Sequence, residues 1–322
     1  MSFLRGMRIA AYVAALAAFL LAFPTPYYLI SPGSAVDLSR AIIVDGHAPP
    51  PDKYYLTDVT LQRAAPLTLL EALLPGDRLV PASELIPSGI DPGEYQTILV
   101  DSMTESQSVA AVVAERAAGF HVEDPRARVY VRNFAVKDPP ARHFLQRGDV
   151  IVAVNGVPIE TTSQITGVVS RLRPGDVATV DVMRNGRPRR MRIPTIATSS
   201  GTRIGIILSP RFLRPALAVP VRFDIPDVSG SSGGLMFALD IYASLRGLHV
   251  DGPRQIAGTG TLAYDGTVGP IEGTLQKLIA AKRAGARIFL VPRKNYDDVR
   301  NERDMRIVPV GTFSEALQAI NS

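Results

Sequence analysis

The chain has 322 residues, of which 46% are hydrophobic and 20% charged, so it is long and apolar enough for about two buried cores. It contains no cysteine, which excludes disulfides, thiolate nucleophiles and cysteine metal sites. Its four histidines show no metal-ligand spacing, and its net charge of +5 is modest. We therefore expect no metal, no cofactor and no nucleic-acid partner.

The N-terminus predicts a single membrane anchor. Arg5 and Arg8 precede an uncharged run over residues 9–30, which is long enough to span a bilayer. Positive charges before the run place residues 1–8 in the cytoplasm and the remainder of the chain on the extracytoplasmic side of the cell membrane. The alternative is a cleaved signal peptide, for which residues 33–35 offer a small-residue cleavage site.

A linker and the first part of a folded domain are predicted next. Residues 31–52 are rich in Pro, Gly and Ala, which is typical of a linker. Residues 53–121 begin with a β-branched and aromatic strand at Tyr54–Leu61. Turn signals predict a loop over Pro75–Gly93, and apolar spacing predicts a helix over Ser102–Ala118.

A different module occupies residues 122–197. The run Arg147–Gly156 ends in Asn-Gly, which predicts a strand followed by a tight turn. The further predicted elements are a strand at Arg128–Val131, a short amphipathic helix at Ser163–Leu172, and a hairpin of Val177–Met183 with Arg189–Ile193. The basic cluster Arg184–Arg192 surrounds the hairpin turn without interleaved aromatic residues, so a solvated loop is favoured over a polyanion site.

The same module resembles a PDZ domain. The resemblance rests on Arg147–Gly156, which reads Arg-Gly-Asp-Val-Ile-Val-Ala-Val-Asn-Gly. It implies that a peptide adds a strand to a sheet edge beside the helix Ser163–Leu172. Gly119–Phe120 is the candidate for the loop that binds the peptide carboxylate.

Residues 198–322 carry the candidate nucleophile. Ser232 lies in Gly230-Ser231-Ser232-Gly233-Gly234, directly before an apolar helical run. The pattern Gly-x-Ser-x-Gly also fits the nucleophile elbow of α/β-hydrolases, which need an acidic residue and then a histidine downstream. Only His249 follows Ser232, at the end of the helix that the serine would begin, which counts against a Ser-His-Asp enzyme. A plain turn before a buried helix is the remaining alternative.

A lysine is the candidate base. Lys277 lies in the run Gly269–Leu278, which reads Gly-Pro-Ile-Glu-Gly-Thr-Leu-Gln-Lys-Leu. A serine hydroxyl is a poor nucleophile until a base takes its proton. A lysine amine can be that base if desolvation keeps it neutral.

The two segments together resemble the proteolytic domain of the Lon family, whose members are Ser-Lys endopeptidases. That family carries its serine in Gly-Pro-Ser-Ala-Gly, and its lysine follows Pro-Ile-Gly-Gly and precedes Leu-Leu-Ala-Ala. The resemblance implies that Ser232 is the nucleophile, that Lys277 is the base and that Thr259 lies near the active site. It also relates Met103–Gln107 to the Met-x-Glu-Ser helix of the family, and it implies a homo-hexamer.

Three positions depart from the family pattern: Ser231 replaces proline, Gly233 replaces alanine and Glu272 replaces a glycine. The two small-residue changes keep the backbone able to approach a substrate carbonyl. Glu272 adds a negative charge that favours the charged form of Lys277 and so weakens the base. A PDZ-based peptide-binding adaptor on a catalytically degenerate scaffold is therefore the alternative function.

Alternating strands and helices predict an α+β fold for the catalytic part. Its predicted strands are Arg203–Leu208, Val221–Ile225, Gln255–Leu262 and Arg287–Val291, and the lysine begins a helix over Lys277–Ala284. Since the Met-x-Glu-Ser segment precedes the PDZ-like module, we expect a Lon-type proteolytic domain with an inserted PDZ domain, preceded by one transmembrane helix.

The sequence predicts an ATP-independent, membrane-anchored serine endopeptidase that cleaves unfolded or extended protein substrates. The P-loop pattern Gly-x-x-x-x-Gly-Lys-Ser/Thr does not occur in it. Ser232 would attack the peptide carbonyl, Lys277 would transfer the proton and Thr259 would orient the lysine. Backbone N–H groups from Ser231 to Gly233 would hold the oxyanion, and the PDZ domain would select substrates.

Overall fold

The chain divides into two compact units. One is formed by Met1–Val122 together with Leu217–Ser322, and the other by Glu123–Ala216. The computed structural model describes residues 7, 11–12, 19–21, 23–73, 75–86, 92–123, 127–134, 139–159, 162–198, 201–212, 215–225, 228–247 and 254–321.

Eighteen strands and six α-helices are described. The strands are β1 Tyr27–Asp37, β2 Ile42–Val44, β3 Lys53–Arg63, β4 Arg78–Pro81, β5 Ala127–Phe134, β6 Val150–Val154, β7 Val157–Pro158, β8 Val177–Arg184, β9 Arg187–Pro194, β10 Ile196–Thr198, β11 Gly201–Arg203, β12 Ile206–Phe212, β13 Val221–Phe223, β14 Gln255–Gly258, β15 Thr261–Leu262, β16 Val268–Gly269, β17 Ile288–Pro292 and β18 Arg306–Val310. The helices are α1 Ala82–Leu85, α2 Pro92–Ala117, α3 Thr162–Val169, α4 Gly234–Arg246, α5 Thr274–Arg283 and α6 Phe313–Asn321.

The first unit is built on a six-stranded mixed sheet with the strand order β18-β17-β14-β3-β1-β4. Strands β18, β17, β14 and β3 run parallel, and β1 is antiparallel to both of its neighbours. Successive side chains of a strand point to opposite faces of a sheet. Tyr54 and Leu56 accordingly pack in one core cluster, while Tyr55 packs in another.

Helices cover both faces of this sheet. Helix α4 packs against α2 and β3, and its residues from Gly234 to Ile241 are all buried, as expected of a helix that is apolar there except at Asp240. Helix α5 packs against β1 and β3, and its Leu278 joins the cluster that contains Tyr55. Helices therefore cover both faces of the sheet.

The predicted linker over residues 31–52 is wrong. Most of β1, the following 3₁₀ turn Leu38–Arg40 and β2 occupy this stretch. Pro32 and Gly33 lie at a register shift in the pairing of β1 with β3, beyond the segment where β4 pairs with β1. A proline is tolerated there because the pairing is already irregular and β4 no longer pairs with β1, so a residue type that usually breaks strands marks a bulge instead.

The predicted loop over Pro75–Gly93 is also wrong in part. It contains β4 and α1, and α2 begins at Pro92, ahead of the predicted start at Ser102. Proline suits the first turn of a helix because its missing N–H would have no intrahelical partner there. The predicted strand Tyr54–Leu61 is confirmed within β3. The predicted lysine helix Lys277–Ala284 is found as α5, which begins three residues earlier, at Thr274, and ends at Arg283.

Within the part of the chain that the structure describes, no helix combines the length and the apolar character needed to cross a bilayer. The predicted span over residues 9–30 falls partly outside the described residues. Its last four residues, 27–30, belong to β1 and pair with β3 and β4. The stretch that remains for a span therefore ends before Tyr27.

The second unit is a small sheet with one helix. Its strand order is β12-β5-β6-β8-β9, with β7 beside β6, and its core contains Val129, Leu145 and Ile193. The predicted hairpin is confirmed as β8 and β9. Its turn residue Asn185 has φ of +49°, as does Asn155 after β6, and each precedes a glycine of positive φ. These are the conformations that Asn-Gly supplies to tight hairpin turns.

The second unit extends past the predicted boundary at Ala197 to Ala216, because β12 pairs with β5 and completes its sheet. The chain leaves and re-enters the first unit beside the end of α2. The buried Glu115 carboxylate accepts N–H hydrogen bonds from Ala218 at 2.8 Å and Val219 at 2.9 Å. The Arg116 guanidinium donates to the Val122 carbonyl at 2.8 Å. Both crossing points are therefore fixed to the same helical turn.

We predict that the first unit folds without the second. Removing Glu123–Ala216 and joining Val122 to Leu217 through a short Gly-Ser linker should leave a cooperative thermal transition, because the two new ends lie beside the adjacent residues Arg116 and Glu115. Circular dichroism melting measures this. A shortened chain that gives no cooperative transition would contradict the prediction.

Candidate active site

The loop before α4 holds Ser232 in place. Gly230 adopts φ of +91°, which favours glycine, and its N–H donates to the Leu99 carbonyl at 2.9 Å. The Ser106 hydroxyl donates to the Ser231 carbonyl at 3.1 Å. Helix α2 thus anchors the serine loop at two points, and Ser106 is the part of the Met-x-Glu-Ser segment that does so.

The two glycines after Ser232 are required by close packing. A Cβ on Gly233 would lie 2.8 Å from both Leu56 Cδ1 and Phe237 Cζ. A Cβ on Gly234 would lie 2.9 Å from the Ser106 hydroxyl oxygen. Interiors this dense do not accept an added methyl group without movement, so the replacement of the family's alanine by Gly233 suits the local packing.

Lys277 lies on α5, which packs against β1 and β3, and its side chain extends to Ser232 in the loop before α4. Its side chain is buried, at 4% relative exposure. Its Nζ lies 2.7 Å from Ser232 Oγ and 3.2 Å from Thr259 Oγ1. Two hydroxyl groups are thus its hydrogen-bonding partners, and neither is charged.

Thr259 joins the other two residues. It is fully buried at the carboxyl end of β14, where its N–H donates to the Leu290 carbonyl at 3.0 Å. Its hydroxyl donates to the Ser232 carbonyl at 3.2 Å, and the Gly260 N–H donates to the same carbonyl at 2.8 Å. Thr259 therefore positions both the lysine amine and the serine backbone.

The electrostatics of the site increase the neutral fraction of the Lys277 amine. Burial lowers the pKa of Lys277 to about 8, although the negative charges of Asp58 and Glu272 act to raise it. At pH 7 a group with that pKa is neutral in about a tenth of the molecules, compared with fewer than about one in a thousand for an exposed lysine. The negative charge of Glu272 raises the pKa of Lys277, as expected, but desolvation of the buried amine lowers it by more.

Donors for a developing oxyanion are available at the start of α4. Within the described part of the chain, the backbone N–H groups of Ser231, Ser232 and Gly233 donate to no protein acceptor. N–H groups at a helix start lack intrahelical partners and carry the positive end of the helix dipole. This arrangement can stabilise negative charge next to the serine hydroxyl.

A separate groove lies within the second unit. It has a volume of about 300 Å³ and is lined by Ile165, Thr166 and Val169 of α3 and by Arg203–Ile206 and Leu208. Strand β12 is an edge strand beside it, paired only with β5 among the described strands. Gly205 has φ of +77°, and a Cβ there would lie 2.6 Å from Pro139 Cβ.

The candidate carboxylate loop at Gly119–Phe120 is wrong. Gly119 has φ of +97° and follows the end of α2, where it acts as a helix terminator in the first unit. The loop that borders the groove is Arg203-Ile204-Gly205-Ile206 instead. The sequence signal that could have identified this loop is its glycine between two isoleucines.

Two known protein families match the parts of the chain that contain the catalytic candidates and the groove. Residues 219–320 match the family described as Lon protease (S16) C-terminal proteolytic domain, and residues 117–195 match the PDZ domain family. The first match contains Ser232, Thr259 and Lys277.

Individual relatives are more distant. The archaeal Lon protease of Archaeoglobus fulgidus is 23% identical over 301 residues, which cover 88% of this chain and 44% of the relative. The Lon protease of Campylobacter concisus is 29% identical over 50% of this chain and 20% of its own length. That of Neorickettsia sennetsu is 37% identical over 27% of this chain and 11% of its own length. The chain spans less than half the length of each.

The matched families and the buried serine–lysine contact lead to the same assignment. Residues 219–320 are a Lon-type (S16) proteolytic domain, which is a serine peptidase domain, in a chain that also carries a PDZ domain.

Proposed function

We propose that the protein is an ATP-independent serine endopeptidase with Ser232 as nucleophile and Lys277 as general base. The observation that carries this proposal is the 2.7 Å separation of Lys277 Nζ and Ser232 Oγ, in surroundings that lower the pKa of the amine. A nucleophile and a base within hydrogen-bond reach are the signature of covalent catalysis.

The reaction follows from this geometry. The neutral Lys277 amine accepts the hydroxyl proton as Ser232 Oγ attacks the peptide carbonyl, and the N–H groups of Ser232 and Gly233 hold the oxyanion. The resulting ammonium donates its proton to the departing amine. Lys277 then accepts a proton from the water molecule that attacks the acyl-enzyme and returns it to Ser232 Oγ as the ester bond breaks. Thr259 keeps the amine oriented through both stages.

ATP independence is proposed because the sequence contains no P-loop pattern. A peptidase that does not couple cleavage to ATP cannot unfold stable substrates by force. We therefore propose that its substrates are unfolded or extended segments.

The PDZ groove is proposed to present such substrates. An extended peptide would pair with the edge of β12 that faces away from β5, with its side chains against Ile165 and Val169 of α3. The backbone of Ile204–Ile206 and the side chain of Arg203 border the groove and would receive a terminal carboxylate.

We also propose the single-pass anchor, with the catalytic part on the extracytoplasmic side. Its support is the uncharged run that follows Arg8. Cleavage at residues 33–35 would divide β1 within its pairing with β3 and so remove part of the central sheet. An intact β1 is therefore more consistent with a retained N-terminus than with a signal peptide cleaved there.

The first prediction of this proposal concerns the dyad. Ser232→Ala and Lys277→Met should each lower peptide hydrolysis by about a thousandfold or more, because each removes an essential partner of one chemical step. Thermal melts should change little. Cleavage of casein or of a fluorogenic peptide measures the activity, and labelling with a fluorophosphonate measures the reactivity of Ser232.

Lys282→Met is the matched control. It lies on the same helix, but its ammonium binds Glu302 and Asp304 at the surface. This variant should keep its activity. Turnover that persists in Lys277→Met would contradict the dyad, and a wild-type protein that is neither labelled nor active would favour the adaptor alternative.

The second prediction concerns pH. Because the neutral amine is the base, kcat/KM should rise with pH and level off above the pKa of about 8. Glu272→Gln removes a charge that raises this pKa, so the midpoint of the rise should move to lower pH. Rate profiles from pH 6 to pH 10 measure it.

Glu315→Gln is the control for that shift. Glu315 pairs with Arg293 at the surface and is not among the groups that affect Lys277. Its profile should match that of the wild type. A midpoint that is unchanged or higher in Glu272→Gln would argue against Lys277 as the titrating base.

The third prediction concerns the membrane. Full-length protein should remain in the membrane fraction after carbonate extraction and should be digested by external protease in intact spheroplasts. N-terminal sequencing should find no new terminus in residues 33–35. A chain released by carbonate, or protected in intact spheroplasts, would contradict the proposed anchor and orientation.

A further inference from the structure

The two units differ in the sign of their charge. Residues 123–216 include sixteen basic and seven acidic residues, so the second unit has a net charge of +9. The first unit has nineteen basic and twenty-three acidic residues, a net charge of −4. The positive charge of the chain is thus concentrated in the second unit, where fifteen of the sixteen basic residues are arginines. Such asymmetry within one chain is typical of proteins that bind an anionic surface.

Strand β9 carries the densest part of this charge. Four of its eight residues are exposed arginines, at positions 187, 189, 190 and 192. The structure places these side chains on a paired strand and not in an irregular loop. Among the described strands β9 pairs only with β8, so it lies at the edge of its sheet. We call this row of four arginines the basic edge.

The protein neutralises only one member of the basic edge. The Arg190 guanidinium binds the Asp181 carboxylate at two points, through Nε at 2.6 Å and through a terminal nitrogen at 3.0 Å. The other three arginines form no ion pair with any residue that the structure describes: Arg187, Arg189 and Arg192. Three guanidinium groups therefore remain available to an external anion.

The hairpin loses stability through this arrangement. Arg187 lies directly opposite Arg184 of β8, and like charges in opposed positions repel each other. Asp149 is already bound to Arg184 at 2.7 Å, so it does not neutralise Arg187. One or two charges are enough to prevent an edge strand from pairing with another chain. Four arginines in eight residues exceed that requirement, which favours an external partner of negative charge.

We propose that the basic edge of β9 binds the phosphate headgroups of an anionic lipid bilayer. Guanidinium groups present paired N–H donors that match phosphate oxygens, which explains arginine in place of lysine. The proposed N-terminal anchor would keep the chain at a bilayer, and the inference rests on that part of the proposed function and not on the peptidase. Strand β9 contains no aromatic residue on which a base could stack, so a nucleic acid fits less well.

Chemical modification of arginines in lipid discs tests this proposal. Full-length protein is incorporated into discs of phosphatidylcholine, with or without phosphatidylglycerol, and treated with p-hydroxyphenylglyoxal. Mass spectrometry then gives the reaction rate of each arginine. The three unpaired arginines of the basic edge should react about fivefold or more slowly in the phosphatidylglycerol discs. About 1 M sodium chloride should remove the difference, because it screens exposed charges.

Arg128 is the internal control. It is exposed on β5, which β6 and β8 separate from β9, so its reaction rate should be the same in both kinds of disc.

Two double variants of equal charge complete the test. Arg187→Gln with Arg189→Gln should bring the reaction rate of Arg192 in phosphatidylglycerol discs close to its rate in phosphatidylcholine discs. Arg128→Gln with Arg222→Gln removes the same charge from exposed positions on β5 and β13, and should leave Arg192 protected. All four side chains are exposed, so both variants should fold.

Equal rates for wild-type Arg187, Arg189 and Arg192 in the two kinds of disc would overturn the proposal. Protection by an acidic peptide or an oligonucleotide, without protection by lipid, would assign the basic edge to another polyanion and would also overturn it. A chain that neither kind of disc retains would contradict the anchor and the lipid contact together. Retention and protection in phosphatidylglycerol discs alone would support the basic edge and contradict the anchor. Peptide cleavage plays no part in this readout, so a failure of the proposed peptidase is distinguishable from a failure of the basic edge.

Discussion

The burial of one ammonium group is the constraint on which the rest of the site depends. An exposed lysine is charged at neutral pH and cannot accept a proton. As the proposed base, Lys277 depends on the packing of α5 against the sheet, where serine and threonine hydroxyls replace water as its partners. Burying a charged group costs free energy, and the packing of the enclosed mixed sheet offsets that cost.

The same constraint accounts for the glycines of the serine loop. The amine can approach Ser232 Oγ only if the loop lies deep against β3 and α2. Gly233 and Gly234 permit that depth, since a methyl group at either position would meet Leu56 or Ser106. The same few residues thus determine both the geometry of the site and the packing of the core, so a substitution that alters one also alters the other.

Features set by local chemistry could be predicted from the sequence. The Asn-Gly turns, the apolar serine helix and the lysine segment each carry their signal within about ten consecutive residues, and each lies where the sequence predicts it. The strand character of β1 could not be predicted, because Pro32 and Gly33 are breakers unless a bulge and a missing neighbour accommodate them. An apolar cleft lined by Tyr28, Leu61, Leu85 and Tyr95 has no sequence signature at all, since its walls come from four elements that are brought together only by the fold.

The parallel pairing of β3 with β14 has a consequence for how the chain folds. The hydrogen bond from the Thr57 hydroxyl to the Gly258 carbonyl closes a span of 201 residues, and contacts of such length slow folding. The inserted unit has its own core and can become compact first, which shortens the chain that must be closed. During synthesis from the N-terminus, β3 must nevertheless wait with one edge unpaired until β14 has emerged. The nascent protein is therefore exposed to aggregation for the time that the ribosome needs to make the intervening segment.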